Sequence, residues 1–372
     1  MRVTTALFLL AFLHVAYGLP ANALEIEGGQ IIDVVVADSG FSDTTFVTEL
    51  HEGWLPEGPR SFDIDTDGNI YVLDWLGSRV QKYDKTGKWI FTFPVIFEEE
   101  RSRGKLDIRD IAVDNSGDVY VTMPYSRLWN LGIRKFSSEG RFLYQIPDVA
   151  EQQSKRKEKK PAPFPVLDWL ITVDRSGRVY NAGGISFQSI RVFSEGKLKT
   201  RIPHNDGYRD VGVVQKEAGN DIYFRENKYL LRTSLEDFVE TGRIDTVAVL
   251  PDELRWYKFA DDKMREVGWV ERPLTLIGFD KDNCFYFYQT ENLYGQREIG
   301  ICFTYRIFKY LLKGNELVYD GKVQIDLERD KPECSEKELF RFSQQFIVSG
   351  DGTLYFLHGT VDTVKVSKII MD

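Results

Sequence analysis

Three arginines stand at one position of a pattern that recurs along the chain, and an aspartate follows two of them. They are Arg60, Arg109 and Arg209, with Asp110 and Asp210 directly after the second and third. Arginine binds carboxylate and sulfate groups through two parallel hydrogen bonds. These residues therefore favour a cationic rim that binds an anionic ligand. The alternative is structural: each arginine pairs with a neighbouring aspartate and caps backbone carbonyls where a strand begins.

Two tryptophans accompany the arginines. Trp169 occupies the equivalent position in the third copy of the pattern, and Trp129 lies in a long connection predicted to open on the same side. Their rings could stack on a sugar or another planar ligand, or they could pack beneath long loops. The candidate ligand-binding residues are therefore Arg60, Arg109, Asp110, Trp129, Trp169, Arg209 and Asp210.

Two histidines could add metal chemistry. His358 follows the predicted second strand of the last copy and His204 lies in a loop between copies, so both could reach the same side. Together with Asp110 or Asp210 they could bind a catalytic divalent metal. Their spacing does not require one, and we expect no cofactor. The chain also has no G-x-S-x-G, Walker loop or G-x-G-x-x-G, so neither a nucleophile elbow nor nucleotide binding is indicated.

The elements that must position these residues are six copies of one unit. In each copy an apolar strand meets a tight polar turn, and a second strand carries a tyrosine. The copies span residues 62–71, 111–120, 171–180, 211–223, 277–286 and 346–355. A unit of this size cannot bury its own apolar face and must stack on its neighbours. Third and fourth strands follow most copies, so the sequence predicts an all-β protein, a six-bladed β-propeller of four-stranded antiparallel blades.

The ends of the chain indicate how the ring closes. After a third strand at 364–370 the last copy has no room for a fourth, whereas an apolar strand at 31–36 precedes the first copy without a partner. An unpaired strand edge is a liability in a sheet protein. We therefore expect the N-terminal strand to join the last blade and close the ring.

Connection lengths differ between the two ends of the predicted blades. Turns joining first to second and third to fourth strands are mostly short. The other connections are long and include residues 94–109, 122–132, 147–169, 251–273, 288–301 and 328–342. Long loops on a rigid scaffold are where binding and catalysis usually occur. We call the end with the long connections the long-loop face and predict that it carries the function.

Residues 77–87, Gly-Ser-Arg-Val-Gln-Lys-Tyr-Asp-Lys-Thr-Gly, following residues 65–71, resemble the NHL repeat of bacterial, exported six-bladed propellers with a TolB-like architecture. The resemblance covers about 61–370 and is strongest in the first two copies. It implies a fold and a tendency to bind ligands or partners at one face. It implies no single activity, because this fold hosts unrelated functions.

Composition and the N-terminus set further expectations. The 372 residues carry a formal charge of −9, which argues against nucleic-acid binding. Arg2 is the only charge before Glu25, residues 6–17 form an apolar stretch, and an A-x-A pattern follows at 21–23. This is typical of a signal peptide at 1–23 cleaved after Ala23; cleavage after Gly18 and an uncleaved anchor are the alternatives. No later segment has the ~20 apolar residues needed to span a bilayer.

We therefore expect an exported protein, periplasmic or extracellular. Residues 24–372 form one propeller domain, with a basic, proline-rich loop at 150–166. The leading functional prediction is non-catalytic binding of a partner protein, or of a small anionic or aromatic-stacking ligand, around the channel mouth on the long-loop face. The rivals are a propeller-type metal-dependent hydrolase or lyase and a structural subunit of a cell-envelope assembly.

Overall fold

The computed structural model describes residues 25–50, 57–101, 108–123, 132–146, 170–174, 176–182, 189–203, 211–216, 219–226, 229–250, 269–271, 275–293, 302–326 and 345–371. Trp129, Trp169, His204, Arg209 and Asp210 lie outside these ranges, as do the predicted signal peptide at 1–23 and the basic loop at 150–166.

The described residues form six antiparallel sheets, the blades of a propeller. Blade one contains β3 to β6, from the inner to the outer edge: Ser61–Ile64, Ile70–Asp74, Arg79–Tyr83 and Trp89–Pro94. Blade two contains β7 to β10: Ile111–Val113, Val119–Met123, Gly132–Phe136 and Phe142–Ile146. Blade three contains β11 to β14: Leu170–Val173, Val179–Ala182, Ser189–Ser194 and Lys197–Pro203. The predicted fold class is confirmed.

The second half of the ring follows the same order. Blade four contains β15 to β18: Val211–Lys216, Gly219–Glu226, Tyr229–Ser234 and Asp245–Val249. Blade five contains β20 to β23: Thr275–Phe279, Cys284–Leu293, Cys302–Lys313 and Glu316–Asp326. Blade six contains β24 to β26, which are Phe346–Val348, Leu354–Gly359 and Thr363–Met371, and an N-terminal strand β2, Gly29–Asp38.

The repeated tyrosine has a structural role in the turn that precedes it. Asp65 ends the first strand of blade one, and its Oδ1 accepts hydrogen bonds from the backbone N–H groups of Asp67 and Asn69. The hydroxyl of Tyr71 donates to Oδ2 of the same carboxylate at 3.1 Å. Blades two, three and five repeat this bond with Tyr120 to Asp114, Tyr180 to Asp174 and Tyr286 to Asp280. The aspartate therefore fixes the turn while the tyrosine fixes the aspartate.

The ring closes as predicted. β2 pairs antiparallel with β26, from Gly29 opposite Met371 to Asp38 opposite Thr363. Val35 and Ala37 of β2 are buried, with 0% and 7% exposure. Burying a valine side chain contributes roughly 1.5–3 kcal/mol, so the strand joins the core as well as the sheet.

The hydrophobic core lies between blades. Successive residues of a strand point to opposite faces of its sheet, so Tyr71 and Leu73 pack towards blade two while Val72 packs towards blade six. Among the described residues each of the six seams holds one buried apolar cluster. A blade is thus stabilised mainly by its two neighbours.

Several elements differ from the prediction. In blade five, β21 and β22 stay paired up to Leu293 opposite Cys302, so residues 288–293 of the connection expected over 288–301 belong to a strand, and the rest of it lies outside the described residues. Two short strands extend this sheet: β1, Glu25–Glu27, pairs with β23, and β19, Trp269–Glu271, pairs with the far end of β21. Two short helices, α1 (Glu98–Arg101) and α2 (Leu235–Thr241), lie in connections. No helix of the described ranges has the length and apolar character to cross a membrane.

Candidate functional site

Arg60 lies at the start of the first inner strand, where the sequence places the channel mouth. Its guanidinium Cζ lies 3.6 Å from the centroid of the Trp75 ring, and its Nη1 donates to the carbonyl oxygen of Ile108 at 3.2 Å. The residue is only 5% exposed. Because Ile108 lies three residues before the inner strand of blade two, Arg60 spans the seam between blades one and two. Capping a carbonyl in this way agrees with the structural interpretation.

Asp110 joins three blades. Its Oδ1 accepts a 2.5 Å hydrogen bond from the hydroxyl of Ser61 in blade one, and its Oδ2 accepts from the backbone N–H of Ile171 in blade three. Its own N–H donates to the Thr122 hydroxyl at 2.9 Å. The carboxylate is fully buried. It therefore fixes the relative positions of neighbouring inner strands at the base of the long-loop face.

The side chain of Arg109 is more exposed than that of Arg60. Its backbone N–H donates to the carbonyl of Thr122 at 3.0 Å, which extends the pairing of the first two strands of blade two. Its side chain is half-buried, whereas that of Arg60 is buried. The structure therefore brings Arg60, Arg109 and Asp110 to one region, at the seams that flank the inner strand of blade two.

The carboxylate of Asp63 also connects the inner strands of blades one and two. Oδ1 of Asp63 accepts from the N–H of Ile64, and Oδ2 accepts from the N–H of Val113 in blade two at 2.7 Å. The pKa of Asp63 is raised to about 7, chiefly by burial; the nearby carboxylates of Asp110 and Asp65 act in the same direction, and the two backbone hydrogen bonds oppose them. Asp63 therefore titrates close to neutral pH.

Sequence reasoning missed the residues that fix the long connections from below. The carbonyl of Val95, in the connection after blade one, accepts from Nη1 of Arg134 at 2.9 Å. The same guanidinium forms a two-point salt bridge with Glu100 of α1 and lies 4.5 Å from the Phe97 ring. Arg134 is 1% exposed. The sequence signal is an arginine that directly follows the apolar Ile133 in the third strand of the blade.

Blades one and three place polar side chains at the equivalent position. Gln81 donates to the carbonyl of Thr45, in the segment that enters blade one from the closing strand, at 2.5 Å. In blade three, Nη2 of Arg191 donates to Oδ1 of Asn181 at 2.6 Å, and both residues are buried. In blades one and two, third strands thus bind the connection that arrives from the previous blade, which makes the base of the long-loop face rigid.

His358 lies inside blade six. Its Nε2 is 2.7 Å from the hydroxyl of Ser367, which donates to Oδ1 of Asp33 in the closing strand, and Lys365 donates to the other oxygen of Asp33. Its ring stacks on Phe356 with centroids 4.6 Å apart. Burial lowers the pKa of His358 to about 4, with Lys365 acting in the same direction and Asp33 opposing both. His358 thus contributes to the pairing of the closing strand.

The described residues contain no group of three or more His, Cys, Asp or Glu side chains placed to hold a metal ion. The other predicted histidine ligand, His204, and the acid Asp210 belong to the part of the chain outside the described ranges. Asp110, the remaining predicted acid, uses both of its oxygens in the bonds to Ser61 and Ile171.

No family model matches this chain, and no curated protein matches it in sequence. Solved structures that resemble it include two lyases and a WD40 propeller domain. A streptogramin B lyase has 13% identity over 88% of this chain and 98% of its own, with a TM-score of 0.44. Virginiamycin B lyase from Staphylococcus aureus has 11% identity over 88% and 99%, with a TM-score of 0.45. The WD40 propeller domain of Doa1 has 9% identity over 91% and 96%, with a TM-score of 0.42. These values support no conclusion about activity.

Proposed function

We propose that this protein is an exported propeller that binds a partner protein, or a small anionic or aromatic-stacking ligand, on its long-loop face. The observation that carries the proposal is the fixed base of that face. Asp110 joins three blades, and Arg134 holds the connection after blade one. A rigid base under long connections suits recognition, because little conformational freedom is lost when a ligand binds.

The ligand-contacting residues we propose are Arg109 together with Trp129, Trp169, Arg209 and Asp210, whose chain positions predict that they lie on the same face. Arg60 contacts the Trp75 ring and Asp110 bonds to Ser61, so we assign these two residues a structural role next to Arg109. Arginine and tryptophan are the side chains that most often dominate binding energy at an interface. An anionic ligand with a planar or sugar-like part would use both.

A thermal-shift screen of purified protein against organic acids, sulfate, sugars and divalent metals tests this proposal. A binding compound should raise the melting temperature, and Arg109→Gln or Trp169→Ala should abolish the rise while leaving the unliganded melting temperature near normal. Lys85→Gln, an exposed lysine in the β5–β6 turn, is the matched control. A rise that persists in all mouth variants would place the site elsewhere.

We prefer binding to the metal-dependent hydrolase or lyase. Of the predicted metal ligands, Asp110 and His358 belong to the described residues, and both form hydrogen bonds within the fold: Asp110 with a neighbouring blade and His358 within blade six. A metal in the screen whose stabilisation is lost in His204→Ala would reverse this preference. A partner that binds irrespective of the mouth residues would favour a structural subunit of an envelope assembly.

Export and an NHL-type repeat remain parts of the proposal. If residues 1–23 are a cleaved signal, protein recovered from the exported fraction should begin at Leu24. Mass spectrometry of the intact chain measures this directly. Recovery of the whole chain with its first residues, in the cytoplasmic fraction, would contradict it.

A further inference from the structure

The segment between the closing strand and blade one forms a tightly hydrogen-bonded loop, residues 39–48, which we call the seam loop. The N–H of Gly40 donates to the carbonyl of Phe46 at 2.7 Å, and the N–H of Phe46 donates to that of Asp38 at 3.0 Å. Phe46 is completely buried and stacks on Tyr83. The loop therefore has its own core contact and a closed base.

Blade one holds the seam loop in one conformation. The carbonyl of Thr45 accepts hydrogen bonds from both Arg79 and Gln81, at 2.6 and 2.5 Å. The hydroxyl of Thr92 donates to the carbonyl of Asp43 at 2.6 Å. Blade six holds its other side, because the hydroxyl of Thr48 donates to the carbonyl of Val361. Since the seam loop connects an outer strand to an inner strand, it belongs to the long-loop face.

This fixed loop presents an aromatic ring to solvent. Phe41 is 87% exposed, the highest value among the large apolar side chains of the described residues. Isolated apolar residues on a surface are ordinary. Phe41 differs because the backbone of the loop is held at its own base and by two blades, so little backbone freedom would be lost when the ring enters a pocket. Large side chains presented in this way are typical anchors of protein interfaces.

The exposed charged side chains of the seam loop and its base are acidic, whereas Arg79, which bonds to the loop at Thr45, is buried. Asp38 and Asp43 are exposed on the loop or at its base, and exposed Asp362 bonds to Ser39 through its carbonyl. No lysine or arginine occurs between residues 33 and 50. Such a rim attracts a basic surface and repels an anionic lipid bilayer.

We propose that Phe41 anchors a docking site for a protein whose apolar pocket is bordered by lysine or arginine. The inference rests on the proposed function and deepens it, since it assigns a specific contact and a partner charge to the long-loop face. Asp38, Asp43 and Asp362 then steer the partner, while Phe41 supplies the buried contact.

The first experiment places the photo-crosslinking residue p-benzoylphenylalanine at position 41 of the full chain in its native host, with position 109 as a second arm. The inference expects a discrete protein adduct at position 41, identified by mass spectrometry. A lipid adduct, binding to vesicles of phosphatidylethanolamine and phosphatidylglycerol, an adduct with a second copy of this chain, or no adduct at position 41 would each overturn it.

The second experiment measures affinity for the purified partner. Phe41→Ser should weaken binding by about tenfold or more, and Asp43→Asn should weaken it less, with the larger effect at low salt. Val239→Ser is the matched control, because Val239 is 62% exposed on α2 in blade four. Unchanged melting temperatures exclude unfolding as the cause, and equal affinities for Phe41→Ser and wild type would reject the anchor.

The two arms separate this inference from the proposed function. If position 109 or the thermal-shift screen reports a ligand while position 41 does not, the long-loop face binds but Phe41 is not its anchor. If the adduct forms only at position 41, the mouth residues are not part of the site.

Discussion

Gly87 lies against the backbone of Val34 so closely that a Cβ added to the glycine would stand 1.6 Å from the carbonyl oxygen of Val34. Gly87 belongs to the turn between β5 and β6 of blade one. Val34 lies at a bulge of the closing strand β2, where the register with β26 shifts. Gly87 also has a φ of 86°, which favours glycine. The first blade thus packs directly on the strand that closes the ring.

Gly87→Ala should weaken this closure. The substitution meets both the positive φ and a backbone contact that no flexible side chain can relieve. Gly314→Ala isolates the first effect, because Gly314 has a φ of 62° and no atom within 4 Å of the added Cβ. We expect Gly314→Ala to cost about 1 kcal/mol and Gly87→Ala about 1–3 kcal/mol more. Urea unfolding measures the free energy of unfolding of both variants. Equal losses would show that blade one can move away from the closing strand at no cost.

The salt bridge between Arg134 and Glu100 gives a double-mutant test. Arg134 is almost fully buried, so Arg134→Met removes the guanidinium that binds Glu100 and the Val95 carbonyl, while the N–H of Phe97 still donates to Glu100. Breaking such a pair costs about 3–5 kcal/mol. Adding Glu100→Met should restore most of the loss, because replacing a whole buried pair by apolar side chains is often neutral. If the double variant is no more stable than Arg134→Met, the bond to Val95 dominates.

Asp63 should make the protein less stable as pH rises. Burial raises the pKa of Asp63 from 3.8 to about 7, so the folded chain keeps a proton that the unfolded chain releases. Its contribution is complete below about pH 4 and is lost as pH rises through 7. Asp63→Asn cannot ionise and keeps an oxygen for the Val113 N–H. The variant should gain about 1–3 kcal/mol on the wild type between pH 4 and 8.

Urea unfolding at several pH values measures the Asp63 effect, with Asp67→Asn, an exposed aspartate of the same turn, as control. A variant whose advantage shrinks as pH rises would contradict the assignment.

His358 should have the opposite dependence. Its pKa is lowered from 6.5 to about 4, so the unfolded chain takes up a proton that the folded chain refuses. Its contribution is complete above about pH 6.5 and is lost as pH falls to 4. Because Ser367 donates to Asp33, the bond between His358 and Ser367 uses the Nε2 proton. His358→Gln retains a donor without the titration.

The wild type should therefore lose about 1–3 kcal/mol relative to His358→Gln between pH 7 and pH 4. An NMR titration of the imidazole gives its pKa independently. A value near 6.5 in the folded protein would remove the physical basis of this prediction.

The repeats could be recognised in the sequence because blades one, two, three and five use the same residues to form the turn between their first two strands. A turn aspartate that accepts backbone N–H groups and a tyrosine six residues later, as in Asp65 and Tyr71, recur with the same spacing. The closing strand could be inferred because a missing fourth strand and an unpaired apolar strand complement each other. The length of β21 and β22 could not, since polar residues such as Gln289 and Glu291 suit a strand as well as a loop.

For the candidate site, too, the sequence indicated some residues but not the partners that they contact. Counting back from the tyrosines predicted Arg60 and Arg109 at the channel mouth, with Asp110 directly after Arg109. In the structure, Arg60 and Asp110 make contacts across the seams that flank the inner strand of blade two. Their partners could not be inferred, because Trp75 and Ile108 approach Arg60 only across folded strands and a seam. The roles of Arg134 and Gln81 were missed because each binds a connection from another blade.

The order of residues by itself determined the blades, their number and the strand that closes them, because turns and strand patterns depend on neighbours a few positions apart. Only the tertiary structure decided which polar groups are used within the fold and which apolar side chain stays exposed. Asp110 is used by Ser61 and Ile171, and His358 by Ser367, whereas Phe41 stays in solvent. The physical reason is that burial and hydrogen-bond partners at a seam come from residues tens of positions or more apart, which local patterns do not specify.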